Sequence, residues 1–92
     1  MLILVSYDVP NDRRRTKLAK ALEDFGDRVQ YSVFECNLTV EQVDRLRARI
    51  HRLTDETEDS VRLYLLCGHC REKVEVHGVG VGPQEDPEVY VL

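Results

Sequence analysis

Residues 2–7 form a short run that is apolar at almost every position. Such a run fits a central strand buried on both faces. Asp8-Val9-Pro10-Asn11-Asp12 breaks it, and Asn11 or Asp12 can cap the start of a helix. Over residues 13–25 the apolar positions recur at helical spacing. Leu18, Leu22 and Phe25 share one narrow stripe, while Arg13, Lys17 and Lys20 share another roughly opposite. Gly26 then reads as a helix stop.

Residues 29–38 are rich in β-formers. Val29, Tyr31 and Val33 alternate on one parity, but Phe34, Cys36 and Leu38 take the other. The switch means a bulge or a break near Val33, or burial on both faces. Thr39-Val40-Glu41-Gln42 is a capping box, and Val43, Leu46, Ile50 and Leu53 continue a second helix. An acidic loop over residues 55–59 leads to a strand over 61–67. Shorter strands are expected over 74–76 and 89–92, separated by Gly78, Gly80, Gly82 and Pro83. The order β-α-β-α-β-β predicts one α+β domain over residues 1–92, a two-layer α/β sandwich with two helices on one sheet face. Residues 78–92 read as a C-terminal strand extension. The last strand needs a sheet edge, which its own chain or a partner subunit could equally supply.

At 92 residues the chain buries only about 60–65% of its unfolded surface, so dimerisation is a natural way to cover more. The longest apolar run, residues 1–5, is too short to span a bilayer or to form a signal-peptide core. A cytoplasmic protein with no membrane partner is expected. The three cysteines, an odd number without a secretion signal, argue against a disulfide framework. A net charge of -4 argues against a general polyanion binder. The charge is uneven, however. Arg13, Arg14, Arg15, Lys17 and Lys20 form a basic stretch without an acid among them, and a local basic face can still bind phosphate.

Asp8 is the most informative candidate. It ends an apolar strand, and ligands of α/β folds collect at such ends. A turn or helix-capping aspartate ahead of Pro10 explains it as well. As a ligand it suits Mg²⁺ or another divalent cation, which takes oxygen donors from one or two carboxylates. Two copies of Asp8 across a two-fold axis would repel each other, and a cation would relieve the repulsion. A catalytic Asp8 therefore requires a homodimer. Arg13, Lys17 and Lys20 could be a solvated helix face. Yet cations opening a helix oppose its macrodipole, which favours an anionic partner, and Arg28 adds a further cation. Cys67-Gly68-His69-Cys70 has the C-x-x-C spelling of a redox motif, whose chemistry needs the first cysteine at a helix N-terminus. As a zinc site it supplies only one pair, with His69, His77 and Cys36 as remaining candidates. A turn between two strands is the expected reading.

The stretch Tyr7-Asp8-Val9, the Arg/Lys-rich first helix and Gly26-Asp27-Arg28-Val29-Gln30-Tyr31-Ser32-Val33-Phe34-Glu35-Cys36 resemble the CRISPR-associated protein 2 family. The similarity extends to about residue 67. It implies a ferredoxin-like fold and a homodimer in which C-terminal strands complete the partner's sheet. It also implies a metal held between paired copies of Asp8, with Asp8 catalytic. Tyr7, Arg15, Lys17, Arg28 and Phe34 map onto family positions, Tyr7 and Phe34 in supporting roles. Two functions follow. One is metal-dependent endonuclease action on RNA or double-stranded DNA, in which Arg15 and Arg28 neutralise developing charge. The other is a non-catalytic DNA-binding scaffold for the CRISPR integrase in spacer acquisition, resting on Arg13, Arg14, Lys17 and the C-terminal strand. A ferredoxin-like repeat needs two strands before the second helix, and the parity switch near Val33 leaves their division open.

Overall fold

A computed structural model describes residues 1–79 of the chain. The elements run β1 (Leu2–Asp8), α1 (Asp12–Leu22), β2 (Asp27–Gln30), β3 (Val33–Asn37), α2 (Val40–Leu53), β4 (Ser60–Leu66) and α3 (Gly68–Arg71). The four strands form one sheet in the order β2-β3-β1-β4, and every neighbouring pair is antiparallel. This is the ferredoxin-like arrangement that the resemblance implies.

Residues 29–38 divide where the parity switches. Tyr31 and Ser32 turn the chain between β2 and β3, and a register shift between Arg28 and Gln30 adds a bulge. Both features flip side chains relative to the sheet, which explains why Val29 and Phe34 fall on different parities. The expected β-α-β-α-β-β order is corrected accordingly, because the second strand is a hairpin.

α1 starts at Asn11, whose side chain accepts the backbone N–H of Arg14 at 2.9 Å. It stops at Leu22, earlier than the apolar spacing suggests, and Phe25 packs against the core from beyond its end. Gly26 serves close approach rather than a left-handed helix cap. A Cβ there would lie 2.1 Å from the Glu35 carbonyl oxygen and 2.7 Å from Cys36 Sγ. α2 opens with the reciprocal Thr39–Gln42 capping box.

One face of the sheet carries the core. Ile3, Val5 and Tyr7 of β1 and Phe34 and Cys36 of β3 pack under Leu18, Ala19 and Leu22 of α1 and Val43, Leu46 and Ile50 of α2. Full burial of each large apolar side chain contributes about 1.5–3 kcal/mol. Among the described residues both α1 and α2 pack on this face. Along β1, Ile3, Val5 and Tyr7 are buried on the core face, while on the opposite face Leu2 is buried, Leu4 and Ser6 are half-buried and Asp8 is exposed. β4 lies at the sheet edge, and Tyr64 and Leu65 of it are almost half exposed.

Two expectations late in the chain fail. Residues 74–76 are not a strand, and Cys67–Cys70 is not a plain turn. β4 hands over directly to α3, a single helical turn. The expected strand over 89–92, and most of the extension from residue 78, lie outside the described residues.

Candidate nucleic-acid site

Asp8 ends β1 opposite Ser60 of β4, and Ser6 stands opposite Arg62. Residues two apart on a strand share a face, so Ser6, Asp8, Ser60, Arg62 and Tyr64 come together on the open side of the sheet. They line a shallow hollow of about 260 Å³. Arg62 donates to the Tyr64 hydroxyl at 3.4 Å, which raises its pKa. The Asp8 carboxylate forms no ion pair among the described residues and is exposed, so it is available to a ligand.

The other expected residues gather on the helix side. Tyr7 and Phe34 stack with ring centroids 6.3 Å apart at 30°, and the Arg28 guanidinium lies 5.4 Å over the Phe34 ring. Tyr7 donates its hydroxyl to the Tyr31 carbonyl at 3.5 Å. Arg15 donates to the carbonyls of Val9 at 3.0 Å and Pro10 at 3.4 Å, and it pairs with Asp12. Those bonds fasten the loop directly after Asp8, and the ion pair with Asp12 raises the pKa of Arg15. A cleft of about 460 Å³ runs between α1 and the β2–β3 hairpin, lined by Tyr7, Arg15, Lys20, Arg28 and Tyr31.

The basic stretch splits by role. Arg13, Lys17 and Lys20 are exposed on α1 and form no ion pair among the described residues. Arg14 turns away from them. Its Nε meets Asp59 at 2.9 Å and its Nη2 meets Glu58 at 2.7 Å. The Asp59 side chain is 1% exposed, so this pair ties α1 to the acidic loop. The Arg14 guanidinium, then the Asp55 N–H, hold the Asp59 carboxyl below its ordinary range.

Asp8 therefore sits with Arg62, whereas Arg15, Arg28, Tyr7 and Phe34 sit on the far side of the sheet. Arg62, Tyr64, Ser6 and Ser60 were not singled out from the sequence. A signal for them exists: Ser60, Arg62 and Tyr64 alternate through β4, the polar parity of a half-buried strand.

Residues 1–74 match the family model described as CRISPR associated protein Cas2. The chain belongs to the Cas2 family. It is 44% identical over the full length of both chains to CRISPR-associated endoribonuclease Cas2 1 of Chloroflexus aurantiacus. Its fold is similar to the crystal structure of Streptococcus pyogenes Cas2, with a TM-score of 0.75 and 38% identity over 85% of this chain and all of that one. It is also similar, at a TM-score of 0.69 and 32% identity, to a chain of a partial Cas6-RT-Cas1–Cas2 complex, covering 82% of this chain and 88% of that one.

A divalent cation fits half of what one Cas2 chain offers. The donors around Asp8 are a carboxylate and hydroxyls, hard oxygen ligands of the kind Mg²⁺ takes. No group of three or more His, Cys, Asp or Glu converges among the described residues. Asp8 is the one carboxylate that lines this hollow among the described residues. Among the described residues no helix is long and apolar enough to cross a membrane.

Proposed function

We propose that this Cas2 protein acts in CRISPR spacer acquisition as a cytoplasmic homodimer and cleaves phosphodiester bonds of RNA or DNA at paired copies of Asp8. The observation that carries the reading is the placement of Asp8, exposed on the sheet face opposite α1 and α2, beside Arg62 and without an ion pair among the described residues. The relatives named as endoribonucleases support the reaction class, and the neighbour in a complex with Cas1 supports an integrase subunit as partner.

The half-exposed Tyr64 and Leu65 on the edge strand β4 favour a second copy there. C-terminal strands would complete each partner's sheet. Two Asp8 carboxylates brought together repel, and a divalent cation, Mg²⁺ by its ligand chemistry, would be held between them. When bound, it supplies positive charge to the phosphate and makes a water more acidic. Asp8 would hold the cation through its carboxylate oxygens. Arg62, held by Tyr64, neutralises charge gathering on the phosphate oxygens. Arg15 acts one step back by fastening Val9 and Pro10, so that the loop after Asp8 keeps its path. Arg13, Lys17, Lys20 and Arg28 hold backbone phosphates away from the reacting bond. Arg14 contributes through the fold, since its guanidinium is committed to Asp59 and Glu58.

Cleavage of labelled single-stranded RNA and duplex DNA with Mg²⁺ tests the reading. The Asp8→Asn protein is expected to lose activity by about 100-fold or more while binding is kept. Equal activity in both proteins would overturn the assignment. A second reading, a DNA-holding scaffold for the integrase without chemistry, is favoured by the exposed Arg13, Lys17 and Lys20 stripe. It gains if neither protein cleaves and both bind duplex.

A further inference from the structure

Three cysteines are present, and they divide sharply by environment. Cys36 is buried in the core, where desolvation and the nearby Asp27 and Glu35 charges push its thiol up to about 12. Cys67 and Cys70 are both exposed. β4 ends at Leu66, paired with Leu2, so the sheet fixes where Cys67 begins. Cys67 then caps α3, and the single turn of that helix carries Cys70 back over it. The two Sγ atoms stand 3.5 Å apart, and the Cys70 backbone N–H points at Cys67 Sγ at 3.4 Å. The pair of sulfurs, rather than the helix end, makes the site.

We propose that Cys67 and Cys70 form a dithiol that exchanges with small-molecule disulfides of the glutathione-disulfide class, with Cys67 attacking and Cys70 resolving. The contacts assign the order. The hydrogen bonds from the Cys70 N–H and thiol favour charge on Cys67 and lower its pKa, while the same partnership raises that of Cys70. A thiolate is the attacking species in exchange. Cys67 Sγ gives up its proton to solvent and attacks one sulfur of the disulfide. The disulfide's S–S bond breaks, and one glutathione leaves as thiolate and takes up a proton. Cys70 Sγ, deprotonated in turn, attacks Cys67 Sγ in the mixed disulfide and expels the second glutathione. The protein dithiol is oxidised, the small disulfide is reduced to two thiols, and protons balance.

Closing the bond needs the sulfurs to approach from 3.5 Å to about 2 Å, within reach of side-chain rotation across two intervening residues. Zinc is the weaker occupant, since no third His, Cys, Asp or Glu joins the pair among the described residues. The site lies beyond β4 at the opposite end from Asp8, because Leu66 pairs with Leu2 and Ser60 with Asp8. It therefore works independently of the nuclease reading.

The full chain, equilibrated at pH 7 in buffers of reduced and oxidised glutathione, then acid-quenched, alkylated and digested, gives the test. The peptide holding both cysteines should escape alkylation, have the mass of its unmodified dithiol less two hydrogens, carry no glutathione, and revert with excess reduced glutathione. Cys36 should take up alkylating reagent only after unfolding. Cys70→Ser should trap one glutathione on Cys67, several-fold faster than Cys67→Ser acquires one on Cys70. Both cysteines are exposed, so these variants keep the fold, which circular dichroism checks. Persistence of glutathione on the native pair, equal rates in the two variants, or no reaction would each overturn the proposal.

Discussion

Asp8 and Arg28 occupy opposite faces of the same four-stranded sheet. Asp8 ends β1 on the side opposite α1 and α2, next to Arg62, while Arg28 lies over the Phe34 ring on the side covered by α1 and α2. One phosphate cannot meet both side chains of a single protomer. On the proposed function the aspartate and the hairpin arginine would answer to different parts of a nucleic acid, and their variants should separate binding from cleavage.

Arg28→Ala and Lys17→Ala should weaken binding of duplex DNA or RNA about equally across sequences. The slope of log affinity against log salt should fall by about one for each substitution. Cleavage at saturating substrate should change little. A filter-binding or anisotropy series between low and moderate salt checks this, and an unchanged slope would remove these residues from the phosphate path.

Arg14→Gln should behave differently, as a stability variant with binding retained. In the folded protein Arg14 lowers the pKa of Asp59. A lowered carboxylate pKa gives stability that is present above the unfolded value, about 3.9, and lost as pH falls through the folded value. The wild type should therefore lose more of its melting temperature between pH 7 and pH 3 than Arg14→Gln does. Thermal melts at the two pH values check it.

Gly26→Ala should destabilise by about 1–3 kcal/mol through overpacking, because the new methyl meets the β3 backbone at Glu35 and Cys36. Phe34→Ala, which empties a fully buried site, should cost about 3–5 kcal/mol. Urea denaturation measures both.

Much of this architecture is legible in residue patterns. The apolar run of β1, the Asn11 cap and the Thr39–Gln42 capping box each act through neighbours in sequence, and each stands where expected. Asp8 at the end of a central strand was legible for the same reason. The hairpin at Tyr31 and Ser32 showed only as a parity switch, since a bulge and a turn leave the same mark on alternation. The commitment of Arg14 to Asp59 was hidden because the partners lie 45 residues apart and meet only when α1 packs beside the loop before β4. Arg62 joined the site through strand register, which a single strand cannot announce. The helical turn at Cys67 escaped because four residues are too few for a periodic signal.

The claim that two copies of Asp8 act together is tested most directly by mixing. Wild-type and Asp8→Asn chains, exchanged to equilibrium at fixed total concentration, should cleave RNA or DNA in proportion to the square of the wild-type fraction, since only dimers with both carboxylates hold the cation. Activity falling in simple proportion to the wild-type fraction would mean that each Asp8 works alone, and would contradict the shared site.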